Sequence, residues 1–236
     1  GLKPDNRIAT NQDEINLYCQ KVNKKIKEQS EIFLNSGAIV GVVGGDHSCP
    51  LGLLEALNKK YSEFGILHID AHADLRVAYE GFEFSHASIM YNALKLNNIR
   101  KLVQVSIRDV SAPEIALQKV DDRIVLYSDY FLKENEFRGK TWDDQCQEIV
   151  SELPQNVYIS FDIDGLTPEL CPNTGTPVPG GLTYNQAIHL LHVLHRTKKQ
   201  IIDFDLCEVS NGASGDWDAN VGARILYKLC MLSGKK

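Results

Sequence analysis

The sequence lacks any pair of cysteines at C-x-x-C spacing. Its six cysteines are scattered along the chain, and several lie inside apolar segments. This distribution is typical of buried free thiols and argues against a disulfide framework. We therefore expect a reducing, cytoplasmic environment.

Long apolar runs and an excess of positive charge are absent as well. No segment approaches the roughly 18 to 20 apolar residues of a membrane span, and Gly1-Leu2-Lys3-Pro4-Asp5 is not a secretory signal. The net charge is -6, with acidic and basic residues interspersed, which argues against binding to nucleic acid or to a membrane surface. The expected partners are small molecules.

What the sequence does contain is an alternation of strand-like and helix-like segments. Short apolar runs rich in β-branched residues have the composition of strands buried on both faces, and the segments between them have the apolar spacing of amphipathic helices. This alternation predicts a mainly parallel sheet covered on both sides. We expect one α/β domain over residues 1–236, a three-layer αβα sandwich. The predicted strands are 38–43, 64–69, 101–107, 123–127, 156–161 and 200–206.

The segment Asp70-Ala71-His72-Ala73-Asp74 directly follows the second predicted strand. On an extended backbone, alternate residues project to one face, so its two carboxylates and its imidazole converge. Two carboxylates that close repel each other unless a positive charge lies between them. The pattern therefore predicts a cation site. His68, inside the apolar strand, is expected to be a satisfied core residue.

Two further segments repeat this arrangement. Gly44-Gly45-Asp46-His47-Ser48 follows the first predicted strand, and Ser160-Phe161-Asp162-Ile163-Asp164-Gly165 follows the fifth. Ligands of parallel sheets bind beyond the carboxyl ends of the strands, so all three segments are expected to meet there. Capping alone would explain one aspartate per loop, but not two at alternate positions in two loops. Together the segments indicate one binuclear metal site.

These three motifs, in this order, resemble the signatures of the ureohydrolase family, which includes arginase, agmatinase, guanidinobutyrase and formimidoylglutamase. The similarity continues through Thr174-Gly175-Thr176-Pro177 and Asp205-Leu206-Cys207-Glu208-Val209. It implies an arginase-like fold and a homo-oligomer, a trimer or hexamer. Relatives usually carry a longer segment before the first motif, so we expect the N-terminal part to be shortened.

The resemblance implies two Mn²⁺ ions per chain, bound by histidine and aspartate side chains of the three motifs. The first ion would take His47, Asp70, Asp74 and Asp162, and the second Asp70, His72, Asp162 and Asp164. Carboxylate and imidazole ligands suit Mn²⁺. Such a pair of ions would generate a bridging hydroxide that cleaves a C–N bond of a linear amidine or guanidine.

Two further residues receive roles from the resemblance. Glu208 resembles the glutamate that binds the amidine nitrogens of the substrate, for which a carboxylate is well suited. His86 resembles a histidine that transfers protons to the departing amine, a task that suits a group titrating near neutrality. The alternative for His86 is a structural role at the start of a helix.

Substrate choice is expected to depend on the loop after Asp74, where Arg76 lies. An arginine there would bind a carboxylate and repel the cationic tail of agmatine. We therefore expect a substrate that carries a carboxylate, with formimidoylglutamate ahead of arginine. Agmatinase or guanidinobutyrase activity is the alternative, and an ion-paired surface position is the alternative for Arg76. A non-catalytic metal-binding member of the fold is the alternative of another class.

Overall fold

The six strands in the part of the chain that the structure describes form one sheet with all neighbouring pairs parallel. The computed structural model describes residues 11–212 and 215–233. Within them the strand order is β1-β6-β5-β2-β3-β4. The strands are β1 (Gly41–Val43), β2 (Phe64–Ile69), β3 (Ile99–Ile107), β4 (Ile124–Ser128), β5 (Asn156–Asp162) and β6 (Gln200–Cys207). Residues 1–10, 213–214 and 234–236 of the expected domain lie outside the described residues.

Helices cover both faces of this sheet, which confirms the predicted αβα architecture. On one face the core contains Leu34 of α1, Leu54 of α2 and Ile89 of α3. On the other, α6, α7 and α8 contribute apolar side chains such as Ile149 and Leu190. The described helices are α1 (Gln12–Asn35), α2 (Leu51–Lys60), α3 (Ile89–Leu94), α4 (Ala112–Val120), α5 (Asp129–Phe137), α6 (Trp142–Ser151), α7 (Tyr184–Arg196) and α8 (Trp217–Ser233). None of them combines the length and apolarity needed to cross a membrane.

The order of the strands places the functional motifs side by side. Because β1, β6, β5 and β2 are consecutive neighbours and run in parallel, their carboxyl ends lie at one edge of the sheet. The motif residues His47, Asp70, Asp162 and Glu208 follow or end these four strands. The topology therefore brings together segments that are up to 161 positions apart in the chain, as the contact between His47 and Glu208 shows.

The first strand is shorter than the sequence pattern predicts. We expected a strand from residue 38, but β1 begins at Gly41. The backbone N–H of Val40 donates to the carboxylate of Asp203 rather than to a strand backbone. A side chain of the neighbouring strand thus satisfies the hydrogen-bonding group that would have extended the ladder.

Asp203 is a buried carboxylate of β6 with an incomplete set of partners. Its Oδ2 has no hydrogen-bond partner among the described residues. Burial raises the pKa of Asp203 to about 7, an effect that the Val40 N–H and the charge of Lys60 only partly offset. Because the folded state then binds the proton more tightly than the unfolded state, this stabilising contribution is complete below about pH 4. It is lost as the pH rises towards 7.

We predict that Asp203→Asn raises the free energy of unfolding at pH 8 by about 2 to 4 kcal/mol, since it removes the buried charge and keeps the oxygen that accepts from Val40. At pH 4, where the parent side chain is protonated when folded, the difference should nearly vanish. Urea unfolding of both proteins at the two pH values measures this. A variant less stable than the parent at pH 8 would contradict the assignment.

Candidate active site

His47 is the centre of the first cluster of polar side chains. A turn closed by Asp46, whose carboxylate accepts the Ser48 N–H at 3.1 Å, carries the His47 side chain inward to 1% exposure. Its Nδ1 faces three carboxylates at once. The distances to Oδ2 are 3.0 Å for Asp70, 3.2 Å for Asp74 and 3.3 Å for Asp162.

The opposite nitrogen of His47 is held by residues that the sequence did not single out for a site role. Its Nε2 lies 2.8 Å from the Ser160 hydroxyl and 3.6 Å from Oδ1 of Asp205. The Tyr158 hydroxyl donates to the other oxygen of Asp205 at 2.6 Å. A histidine held in this way presents a fixed ring nitrogen to a metal. The signal for these partners was a polar residue between two apolar neighbours, Ser160 in β5 and Asp205 in β6.

The second cluster shares Asp70 with the first. Nδ1 of His72 lies 3.4 Å from Oδ1 of Asp70 and 3.1 Å from Oδ2 of Asp164. Asp164 belongs to a short 3-10 helix, Ile163–Gly165, that follows β5. Its Oδ1 accepts the Ala71 N–H at 3.0 Å, and its own N–H donates to Asp162 at 2.9 Å. Backbone hydrogen bonds thus lock the two acidic loops against each other.

Burial and neighbouring charges shift the pKa values of these side chains strongly. Burial and the charges of Asp70 and Asp164 raise the pKa of Asp162 well above its usual value. Burial and Asp70 also raise the pKa of Asp74. For His72, burial favours the neutral ring, but hydrogen bonds to Asp164 and Asp70 outweigh it and raise the pKa to about 11. The site therefore concentrates negative charge that positive charge must balance.

This donor set fits a pair of divalent cations. One group of possible ligand atoms comes from His47, Asp70 and Asp74, together with His68, and a second from Asp70, His72 and Asp164. Both combine imidazole nitrogen with carboxylate oxygen, the ligands that suit manganese. All six predicted ligands thus lie in these two clusters or, for Asp162, in contact with His47. Their role as metal ligands stays a prediction.

Two of the site residues have strained backbone conformations. Asp74 has φ 55° and Glu208 has φ 63°, values that favour glycine. Oε1 of Glu208 accepts the His47 N–H at 3.0 Å, and the Thr174 hydroxyl donates to the Glu208 carbonyl at 3.0 Å. Strain of this kind persists where surrounding contacts enforce it, and it clusters at functional sites. The contacts fix Glu208 beside the first cluster.

A cavity of about 130 Å³ opens next to the second cluster. His86 lies in its wall, at the start of a 3-10 helix, and its ring makes an edge contact with Tyr79 at 5.7 Å between centroids. The backbone N–H of Arg76 donates to the Ala87 carbonyl, which holds the two segments together. The cavity is lined by His72, Asp74, Arg76, Tyr79, His86, Ala87, Asp109, Glu114 and Thr176.

Arg76 lies in this wall, with its guanidinium beside protein groups. Its Nε is 4.0 Å from Glu114, and its guanidinium carbon is 5.3 Å from the centre of the Tyr79 ring. Glu114 is itself buried, and it accepts the backbone N–H of Leu75 and of Ser111. The sequence could not show this pairing, because Glu114 comes from the start of α4, far along the chain.

We predict that Mn²⁺ raises the melting temperature of the protein, because a ligand that binds only the folded state stabilises it. Asp162→Asn should abolish this Mn²⁺-dependent rise. The same variant should melt several degrees higher than the parent without metal at pH 8, since it relieves the repulsion that raises the pKa of Asp162. Thermal unfolding with and without Mn²⁺ measures both effects.

A matched control is His189→Gln, which removes a histidine paired with Asp143 at 2.6 Å on the protein surface. It should keep the full response to Mn²⁺. Equal responses of the Asp162→Asn variant and the parent would remove Asp162 from the metal centre.

Comparison with known proteins agrees with this geometry. The family model described as Arginase family matches residues 6–232. An N(1)-aminopropylagmatine ureohydrolase of Thermus thermophilus is 34% identical over 217 residues, which cover 92% of this chain and 70% of the relative. A guanidinobutyrase of Pseudomonas aeruginosa is 29% identical, with coverages of 89% and 65%. The crystal structure of an agmatine ureohydrolase of Thermoplasma volcanium superposes with a TM-score of 0.76 at 25% identity, covering 91% of this chain and 69% of that one. The chain belongs to the arginase family of metal-dependent ureohydrolases.

Proposed function

We propose that this protein releases urea from a linear guanidine whose other end carries an amine, as agmatine does. The observation that carries the proposal is the charge of the cavity beside the second cluster. Besides Asp74, which the proposal assigns to the metal centre, its wall contains the carboxylates of Asp109 and Glu114, and its arginine, Arg76, lies 4.0 Å from Glu114. Such a wall favours a cationic tail over an anionic one.

The comparisons support this choice over our first expectation. The sequence pattern placed formimidoylglutamate and arginine ahead of agmatine because of Arg76. The relatives named above are described as acting on aminopropylagmatine, agmatine or guanidinobutyrate, which favours the alternative. The physical reason is that Arg76 is already engaged by Glu114 and Tyr79, so less of its charge is available to repel an amine.

The metal-binding residues in this proposal are the five aspartate and histidine side chains predicted as ligands within the two clusters, together with Asp162, which contacts His47. Asp70 and Asp162 would each face two Mn²⁺ ions, His47 and Asp74 one of them, and His72 and Asp164 the other. When bound, such a pair of ions lowers the pKa of water and supplies a nucleophile at neutral pH. The carboxylates of Asp70, Asp162 and Asp164 are buried, and His72 and Asp74 line the adjacent cavity.

Glu208 would bind the guanidinium of the substrate. Oε1 is fixed by the His47 N–H, and burial raises the pKa of Glu208. A carboxylate pairs well with a planar, two-pronged cation, and this pairing would place the guanidinium carbon above the two clusters. Binding of the cation would in turn favour the ionised form of Glu208.

His86 would transfer a proton to the departing amine. Its imidazole lies in the cavity wall, with Tyr79 against one edge of the ring. A positive charge on His86 would lower the pKa of Glu208, an interaction that supports a shared site for the two side chains. An imidazole is suited to gain and lose a proton near neutral pH.

Guanidinobutyrate is the second candidate substrate, and the presence of Arg76 in the cavity wall favours it. If the guanidinium of Arg76 turned away from Glu114, it could pair with the carboxylate of this substrate.

Assembly into a trimer or hexamer and a cytoplasmic location stay predictions.

We predict opposite effects of two cavity variants on substrate choice. Asp109→Asn should raise KM for agmatine by about ten- to a hundredfold, because a charge-assisted contact to the amine is lost. Arg76→Ala should leave agmatine turnover nearly unchanged and weaken binding of guanidinobutyrate. A urea-release assay over agmatine, aminopropylagmatine, guanidinobutyrate and arginine measures both, with formimidoylglutamate assayed for formamide release.

Asp143→Asn, on the surface of α6, is the matched control for loss of an aspartate charge. Turnover of formimidoylglutamate or arginine alone would overturn the proposed substrate class. If Asp109→Asn left the KM for agmatine unchanged, Asp109 would not bind the amine.

We also predict that Glu208→Gln lowers kcat/KM by about a hundredfold or more, because a neutral amide pairs poorly with a guanidinium. Binding of Mn²⁺, measured by calorimetry, should stay within severalfold of the parent, since Glu208 touches the backbone of His47 and not its ring. Retained catalysis would remove Glu208 from the substrate site. Lost metal binding would assign it to the metal centre instead.

A further inference from the structure

His68 is a histidine buried in the centre of the sheet, beside the metal centre. It belongs to β2, is 0% exposed, and pairs in register with Gln104 of β3. Its Nε2 lies 2.8 Å from Oδ2 of Asp70, two residues further along the same face of the strand. Its Nδ1 lies 2.9 Å from Nε2 of Gln104.

The contacts of Gln104 determine which nitrogen of His68 carries the proton. Nε2 of Gln104 also lies 2.7 Å from the Ala73 carbonyl, so it must be the amide nitrogen that donates there. The same nitrogen donates its second hydrogen to Nδ1 of His68, which therefore accepts. The proton of a neutral imidazole is then on Nε2, and it points at Asp70.

The carboxylate of Asp70 consequently has at least one hydrogen-bond donor on each oxygen. Oδ2 accepts from His68, and Oδ1 accepts the backbone N–H of His72 at 2.6 Å. Oδ2 is also the oxygen 3.0 Å from His47, in the first cluster, whereas Oδ1 faces His72 in the second. The two donors together fix the plane of the carboxylate so that each cluster receives one oxygen.

We propose that His68, oriented by Gln104, is a positioning residue that holds Asp70 in the geometry needed to bridge two metal ions. It does not touch the substrate. Its effect passes through Asp70, the side chain common to both clusters. The proposal rests on the proposed binuclear metal centre and adds a polar chain behind it, from Gln104 through His68 to Asp70.

The surroundings of His68 argue against a purely structural role. Its neighbours in β2, Leu67 and Ile69, are 0% exposed apolar residues, as expected for a strand buried on both faces. A polar ring at such a position costs free energy unless both nitrogens are hydrogen-bonded. The partner that completes this set is a carboxylate of the metal centre, so the ring serves the site rather than the core.

The test is a calorimetric titration of Mn²⁺ into the purified full chain and its variants. His68→Met removes the donor to Asp70 and should weaken Mn²⁺ binding by about ten- to a hundredfold, the usual effect of losing a partner of a metal ligand. His68→Gln places an amide nitrogen near the former Nε2 and should recover most of the affinity. Gln104→Met should weaken binding to an intermediate degree.

Gln145→Met is the matched control for Gln104→Met. Gln145 is also 1% exposed, and its amide donates to the Leu132 carbonyl on the other side of the sheet, in contact with α5. It should keep the parent affinity for Mn²⁺. Melting temperatures without metal separate loss of folding from loss of binding, and Gln104→Met carries the test if His68→Met does not fold.

The outcomes distinguish this proposal from the proposed function. A parent protein that binds no Mn²⁺ defeats the metal centre itself. A parent that binds it, with His68→Met or Gln104→Met binding equally within twofold, overturns the role of His68 alone. The same follows if His68→Gln is as impaired as His68→Met.

Discussion

The structure is organised around the repulsion among carboxylates that converge on Asp70. Asp74, Asp162 and Asp164 surround it in a buried pocket. Separation from water strengthens the repulsion between their negative charges. Such a pocket raises the free energy of the folded protein without cations and lowers it when cations bind. The strained backbone at Asp74 and the hydrogen bond from Ala71 to Asp164, which joins the two acidic loops, show that the scaffold holds these groups together.

Most of the fold could be predicted from the sequence because its signal is local. Apolar runs rich in β-branched residues marked all six strands, and the alternation with amphipathic helices fixed the layers. The error at β1 has a different origin. Residues 38–40 have the composition of a strand, but Asp203 takes the N–H of Val40, and no local pattern reveals a competitor 163 positions away.

The site residues also differ in whether a local sequence pattern indicates them. Residues within one motif, such as Asp70 and His72, could be proposed from the sequence because their spacing alone indicates a cation site. Asp205 and Tyr158 were missed because the pattern within one strand does not show which side chain of the neighbouring strand each of them meets. Arg76 illustrates the converse. Its sequence position favoured an anionic substrate, and only the fold showed that Glu114 stands beside it.

The register between β2 and β3 ties the folding of the sheet to the chemistry at its edge. Successive side chains of a strand point to opposite faces, so a slip of one residue would carry Gln104 away from His68 and replace it with an apolar neighbour. The apolar core alone would tolerate such an error poorly but could still collapse around it. A polar pair flanked by apolar residues in both strands makes the mispaired sheet distinctly less stable, because both groups would lose this hydrogen bond in a buried place. The same two side chains thus favour the correct register between β2 and β3 over a shifted one.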